Sequence, residues 1–346
     1  MNHIPALDGA RALAVVLVMV FHSSAPFLRT GYIGVDIFFV LSGFLITSVL
    51  LTERERTGTI AFGRFYLRRF ARLTPPLALC LLLYIALAPL LWPDYESHLR
   101  DAALSATYLT DYSQAFWLAP KMLRHTWSLS VEEHFYLIWP FVIVGLAWMP
   151  RSTAMKMLAA MYVLATAWRF FCIDIGGGWN AVYYRFDTRL SGLILGSFLS
   201  ASLRQGQSAG VGQVTTAAGI ASSLYLLVAL DWGDNQMLKY GVMLAELLTA
   251  LCISAIMNNT PALRWLGAQS IAYIGRLSYG LYLFHYPAMV YLRAKYDWEL
   301  VLIGGSTFAL LAAALSYHTI EASVRRWKAR ATETPLQSAS TQPAID

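Results

Sequence analysis

Apolar runs of roughly 18–20 residues, the length that crosses a bilayer as a helix, recur along this chain between short polar loops. Ten such runs are read as membrane spans: residues 10–27, 32–51, 74–92, 134–150, 154–172, 188–203, 212–230, 238–257, 276–293 and 300–320. An eleventh stretch, 102–118, is interrupted by Thr107, Thr110, Asp111, Ser113 and Gln114 and reads as a partly polar connector. The pattern predicts an all-α polytopic integral membrane protein of about ten transmembrane helices. They form one transmembrane domain, residues 1–328, followed by a small, polar, Pro-containing tail at 329–346 that is expected to be disordered. No internal repeat is visible.

Composition agrees with the pattern. Of 346 residues 57% are hydrophobic and only 13% charged, about half the charged share of a soluble domain. In a soluble protein a net charge of +6 would suggest nucleic acid; in a membrane protein Lys and Arg first serve to hold loops in the cytoplasm. With ten spans and a cytoplasmic N-terminus, "TERERTGTIAFGRFYLRRFARL", "PRSTAMK" and "VRRWKAR" fall inside, and the acidic "PDYESHLRD" and "DWGDN" fall outside. Both termini are then cytoplasmic. Pro26 after "SSA" is a poor cleavage context, so the first run reads as a retained span. Cys80, Cys172 and Cys252 sit in or at the end of apolar stretches without CxxC spacing, and read as core residues rather than disulfides or metal ligands. No soluble domain is expected beside the bundle, so any chemistry belongs within it.

On this topology the polar residues separate into two poles. His22 lies eleven residues after Arg11, roughly 16 Å further along the same helix at 1.5 Å per residue. Asp36, one turn into the second span, reaches a matching depth, where a carboxylate would orient a general-base imidazole. Glu132, Glu133 and His134 enter the fourth span near that outer level; the glutamates read either as helix-dipole residues or as site carboxylates. At the inner pole Arg64, Arg68 and Arg72 share a helical face with Arg69 beside them, flanked by Phe62, Phe65, Tyr66, Phe70 and Leu73. That segment reads either as an amphipathic helix on anionic lipid or as a phosphate site of guanidinium forks, which Arg11 would extend. A phosphate-rich donor anchored inside with its reactive end threaded outward fits coenzyme A. Elsewhere, His285 stands two residues before Pro287 in mid-span, suited to satisfying freed carbonyls as much as to chemistry. Arg185, Asp187 and Arg189 open the sixth span from outside, as an interfacial cluster or as contacts for a polar acceptor. "GGGW" at 176–179 has no following Lys-Ser/Thr and is no phosphate loop.

Several of these segments together resemble the membrane-bound acyltransferase family 3, whose bacterial members O-acylate sugars and other extracytoplasmic molecules. "ALDGARALAVVLVMVFH" resembles its opening motif, with Arg11 and His22 in R-x10-H spacing, and "GYIGVDIFFVLSGFLIT" its second-span signature. "RRFAR" carries an R-x-x-R motif as Arg69 and Arg72. "WSLSVEEHFYLIWP" resembles the paired-glutamate motif and "LSYGLYLFHYP" the late His-Pro motif. The resemblance reaches to about residue 328. Ala10, His134 and Ser323 depart from it, standing where Leu, Gln and Pro are common or expected.

The resemblance implies a stand-alone, multi-pass protein of the bacterial inner membrane. It implies His22 as catalytic base, Arg11, Arg69 and Arg72 on the acyl-CoA donor, and Asp36, Glu132 and Glu133 in support. The expected reaction moves an acyl group, acetyl by default, from cytoplasmic acyl-CoA to a hydroxyl of a surface or exported carbohydrate or related molecule. His22 serves as base or as acyl carrier. Partners are then the bilayer, acyl-CoA and the hydroxyl acceptor, with no nucleic acid and no metal. The competing reading is a transporter or flippase with a His/Asp proton relay.

Overall fold

The computed structural model describes residues 3–204, 219 and 233–324. The described residues are all-helical, without strands. In chain order the helices are α1 (Pro5–His22), α2 (Gly34–Thr57), α3 (Phe62–Leu91), α4 (His98–Ala106), α5 (Thr110–Trp117) and α6 (Trp127–Ala147). There follow α7 (Arg151–Asp174), α8 (Trp179–Tyr184), α9 (Leu190–Leu203), α10 (Val242–Met257), α11 (Gln269–Arg293) and α12 (Trp298–Ser316). Short 3-10 turns lead into α2, α6 and α11, and a π turn leads into α10.

Among the described residues seven helices are long and apolar enough to cross a membrane: Pro5–His22, Gly31–Thr57, Phe62–Leu91, Arg124–Ala147, Arg151–Asp174, Met237–Met257 and Trp298–Val324. Two more expected spans form helices that fall outside that set. Leu190–Leu203 has 14 residues, and Gln269–Arg293 has 25 but carries Arg276, Ser278 and His285. The expected span at 212–230 and the tail at 329–346 lie outside the described residues. The connector at 102–118 is divided between α4 and α5, of 9 and 8 residues, neither of which approaches the roughly 20 residues a crossing needs.

Local sequence sets the helix ends. Pro5 opens α1, where its missing N–H is no loss, and Gly58 closes α2 at φ 74°, a conformation that favours glycine. The basic run at 64–72 does not form a separate surface helix. It belongs to about the first third of the 30-residue α3, which continues through Pro75 and Pro76, and it turns Arg69 and Arg72 toward Arg11 and Glu132.

Packing relies on backbone contact. A Cβ on Gly43 would lie 1.9 Å from the Leu193 carbonyl oxygen, and one on Gly196 2.0 Å from that of Val40, so α2 and α9 cross without side chains between them. α1 and α11 run parallel, from Asp8 against Gly275 at one end to His22 against His285 at the other. Two buried ion pairs tie further elements together. Arg189, just before α9, donates to Asp36 of α2 at 2.5 Å, and Arg169 of α7 meets Glu246 of α10 at 3.3 Å, with Ser191 bridging both.

Candidate active site

At the C-terminal end of α1, His22 Nδ1 lies 2.8 Å from His285 Nε2. His285 is fully buried, and its other nitrogen, Nδ1, lies 3.1 Å from the Leu281 carbonyl. A carbonyl only accepts, so His285 Nδ1 carries the proton. In the neutral ring Nε2 is then the acceptor, and His22 Nδ1 must donate to it. The free lone pair of His22 is therefore on Nε2. A buried histidine does what was expected of a carboxylate: it fixes tautomer and ring orientation.

The expected partner, Asp36, is elsewhere. Its carboxylate holds Arg189, and both residues are only 1% exposed. The Arg189 guanidinium sits 4.9 Å from the Tyr183 ring centroid, 5.7 Å from Trp127 and 5.8 Å from Phe39. Depth along two adjacent helices made His22 and Asp36 neighbours on paper; their side chains leave different helical faces, and the uncompensated guanidinium takes the carboxylate. For the same reason Arg189 does not join Arg185 and Asp187. Those two pair with each other, Arg185 Nε donating to Asp187 Oδ1 at 2.9 Å, and Trp168 donating to Oδ2 at 2.6 Å.

The glutamates also depart from their expected level. His125, in the 3-10 turn before α6, is the residue that reaches His285, with ring centroids 5.6 Å apart. Glu132 is seven residues further on, roughly 10 Å toward the Arg11 end. There it accepts a hydrogen bond from Ser42 at 2.5 Å and lines a cavity with Arg11, Arg69 and Arg72. Glu133 faces a separate cavity with Arg69, Tyr108 and Tyr136, and His134 meets the buried Asp111 at 3.1 Å.

The cavity beside Glu132 is small, ≈ 70 Å³, and lies between α1, α2, α3, α6 and α11. At one end it is lined by Arg11, Arg69 and Arg72, with Arg11 donating to Ser278 at 3.1 Å. Phe38, Leu45, Ile46 and Leu73 supply its apolar walls. Ser128 and Tyr282 line it too; their hydroxyls are 2.6 Å apart, and Tyr282 donates to the His125 carbonyl at 2.8 Å. An adjoining cavity of ≈ 450 Å³ shares Arg11 and Leu45 and is lined by Arg64, Arg68, Arg56, Glu53 and His3. Arg68 is committed to Glu53 at 2.9 Å. The five arginines expected at one pole thus divide between these two cavities, with Arg11 in both and Arg69 also lining that of Glu133.

The sequence profile of the acyltransferase 3 family, an acyltransferase domain, matches residues 4–318. The chain belongs to that family. It is similar to the peptidoglycan O-acetyltransferase OatA of Listeria monocytogenes serovar 1/2a, at 31% identity over 94% of this chain and 56% of that protein. It is also similar to the O-acetyltransferase OatA of Staphylococcus aureus strain NCTC 8325, at 29% identity over 94% of this chain and 58% of that protein. The chain thus spans little more than half the length of these curated relatives. No solved structure matches it at a significant level. Family membership and the apolar helices together make it a multi-pass membrane protein.

Several site residues escaped the sequence reading. His125 stands in "RHTWSLS", yet nothing in its spacing points to His285, 160 positions later. Arg169 and Glu246 carried a signal, a lone charge inside an apolar run, which marks a partner to be sought. Ser128, Ser278 and Tyr282 are ordinary span residues until the fold lines them along one cavity.

Proposed function

We propose that this acyltransferase 3 family protein is a membrane O-acetyltransferase that takes acetyl from acetyl-CoA and gives it to a carbohydrate hydroxyl of the cell envelope. The observation that carries the reading is the central cavity: guanidinium groups at one end, apolar walls, and at the other end hydroxyls bonded to the backbone beside the His22–His285 pair. The donor's phosphates are assigned to Arg11, Arg69 and Arg72, with Arg64 and Arg68 in the adjoining cavity, because planar guanidinium forks match phosphate oxygens. Its thin arm runs from these arginines past Ser128 and Tyr282 and brings the thioester toward His22. In the transfer step the acceptor hydroxyl gives its proton to His22 Nε2 as its oxygen attacks the thioester carbonyl. The C–S bond breaks, and the departing thiolate receives that proton. Arg185 and Asp187 are assigned to the acceptor side. The carbohydrate acceptor and the acetyl group draw support from the names of the relatives.

The test is release of free thiol from acetyl-CoA by purified protein supplied with envelope glycan. His22→Ala lowers turnover by about 10²–10⁴-fold with donor binding retained, and Arg69→Ala/Arg72→Ala weakens donor binding. Turnover unchanged in His22→Ala removes His22 as the base. Absence of donor binding to folded wild-type protein moves the assignment to the transporter reading. Quenched single turnovers with labelled acetyl-CoA separate direct transfer from an acyl-histidine: label retained on His22 identifies the latter.

A further inference from the structure

Three features near His22 converge on a residue to which the proposed reaction gives no task. Pro287 lies inside α11 and has no N–H, so the Leu283 carbonyl, four residues earlier, lacks its helical donor. Buried backbone oxygens in an apolar bundle need a partner. Two side chains from different elements supply one: His125 Nε2 at 3.1 Å and the Cys80 thiol at 3.5 Å. The proline break therefore makes the backbone of α11 a docking point for His125.

The consequences run outward from that bond. Because the carbonyl accepts, the proton of His125 is on Nε2 and its ring plane is set. The ring is 1% exposed and stacks on Tyr286, with centroids 4.9 Å apart and planes 25° apart. Its edge-to-face contact with His285 is 5.6 Å. Tyr286 in turn meets His22 at 4.8 Å, edge to face. His285 and Tyr286, the two residues immediately before Pro287, are thus clamped between His125 and His22.

We propose that His125 is a positioning residue: docked on the Leu283 carbonyl that Pro287 leaves open, it holds His285 in register to receive the His22 Nδ1–H bond. Its effect on catalysis passes through His285, and it touches neither donor nor acceptor. Pro287 belongs to the same device, since a residue with an N–H at that position would compete with His125 for the Leu283 carbonyl. The proposal rests on His22 acting as the base, as set out above.

The test is a cycle among His125→Phe, Pro287→Ala and the double variant, read as kcat, acceptor KM and donor affinity in the wild-type assay. His125→Phe keeps an aromatic ring for Tyr286 but loses the donor. It lowers kcat by about 100-fold, the scale of a small misplacement of a reacting group, with KM and donor affinity within twofold of wild type. Pro287→Ala restores a backbone donor to Leu283, so the double variant recovers at least tenfold of the kcat lost in His125→Phe. That recovery is the decisive readout. If the double variant is as slow as His125→Phe, or if His125→Phe acts mainly on acceptor KM, His125 works by touching substrate and the proposal is overturned. Retained donor affinity reports that each variant is folded, and a wild type active through His22 separates failure of this proposal from failure of the His22 assignment.

Discussion

Replacing Asp36 by Asn tests whether this carboxylate serves Arg189 or His22. The pair spans 2.5 Å and both side chains are sealed from solvent. Two unit charges about 4 Å apart at an effective dielectric of about 20 attract by about 4 kcal/mol, and removing one partner of a buried pair costs about 3–5 kcal/mol. Asp36→Asn leaves a sealed guanidinium that cannot lose its charge and whose Nε and Nη1 already lack partners, so its cost falls near the upper bound even with Tyr183, Trp127 and Phe39 around it. Arg189→Met leaves a sealed carboxylate that can neutralise by taking a proton, so its cost falls near the lower one. The double variant removes both charges and is less destabilised than the sum of the singles by about 3 kcal/mol. Thermal unfolding of detergent-purified protein reads the order, and thiol release per folded molecule reads activity, expected within threefold of wild type for Asp36→Asn. An Asp36→Asn protein of wild-type stability that is catalytically dead, with Arg189→Met failing to reproduce it, would refute the pairing argument and return Asp36 to His22.

Other expectations follow from packing and titration. Gly196→Ala places a methyl 2.0 Å from the Val40 carbonyl oxygen and 2.8 Å from the Phe44 nitrogen, both backbone atoms. The α2–α9 crossing must open at a cost of about 3 kcal/mol, seen as a lower unfolding temperature; an unchanged one contradicts the crossing. Burial raises the Asp187 carboxyl, but the hydrogen bonds from Arg185 and Trp168 outweigh it and hold the group below the usual 3.8. A depressed carboxyl stabilises the fold above its unfolded value and loses that contribution as pH falls through the folded one. The stability difference between wild type and Asp187→Asn is therefore flat from pH 5 to 8 and shrinks only below 3.8; a slope near neutrality contradicts the assignment.

Seven of the expected spans were legible because a bilayer demands unbroken apolar length, a local property that the chain displays residue by residue. The connector at 102–118 was legible for the converse reason: its Thr, Asp, Ser and Gln residues interrupt that length. The grouping of Arg11 with Arg69 and Arg72 was also within reach, since all three stand near the same ends of their helices. Which partner each buried polar group takes was not. Helical position gives depth, but whether two groups at one depth meet depends on the rotation of each helix, set here by contacts such as Gly43 on Leu193 and Gly275 on Asp8. Rotation handed Asp36 to Arg189, brought His285 to His22, and carried His125 to a carbonyl that Pro287 leaves open. The sequence by itself determined a membrane bundle with a basic pole and a histidine. The tertiary structure alone decided the bonds that aim that histidine, because hydrogen bonds select partners within about 3 Å, a scale that depth along a helix does not resolve.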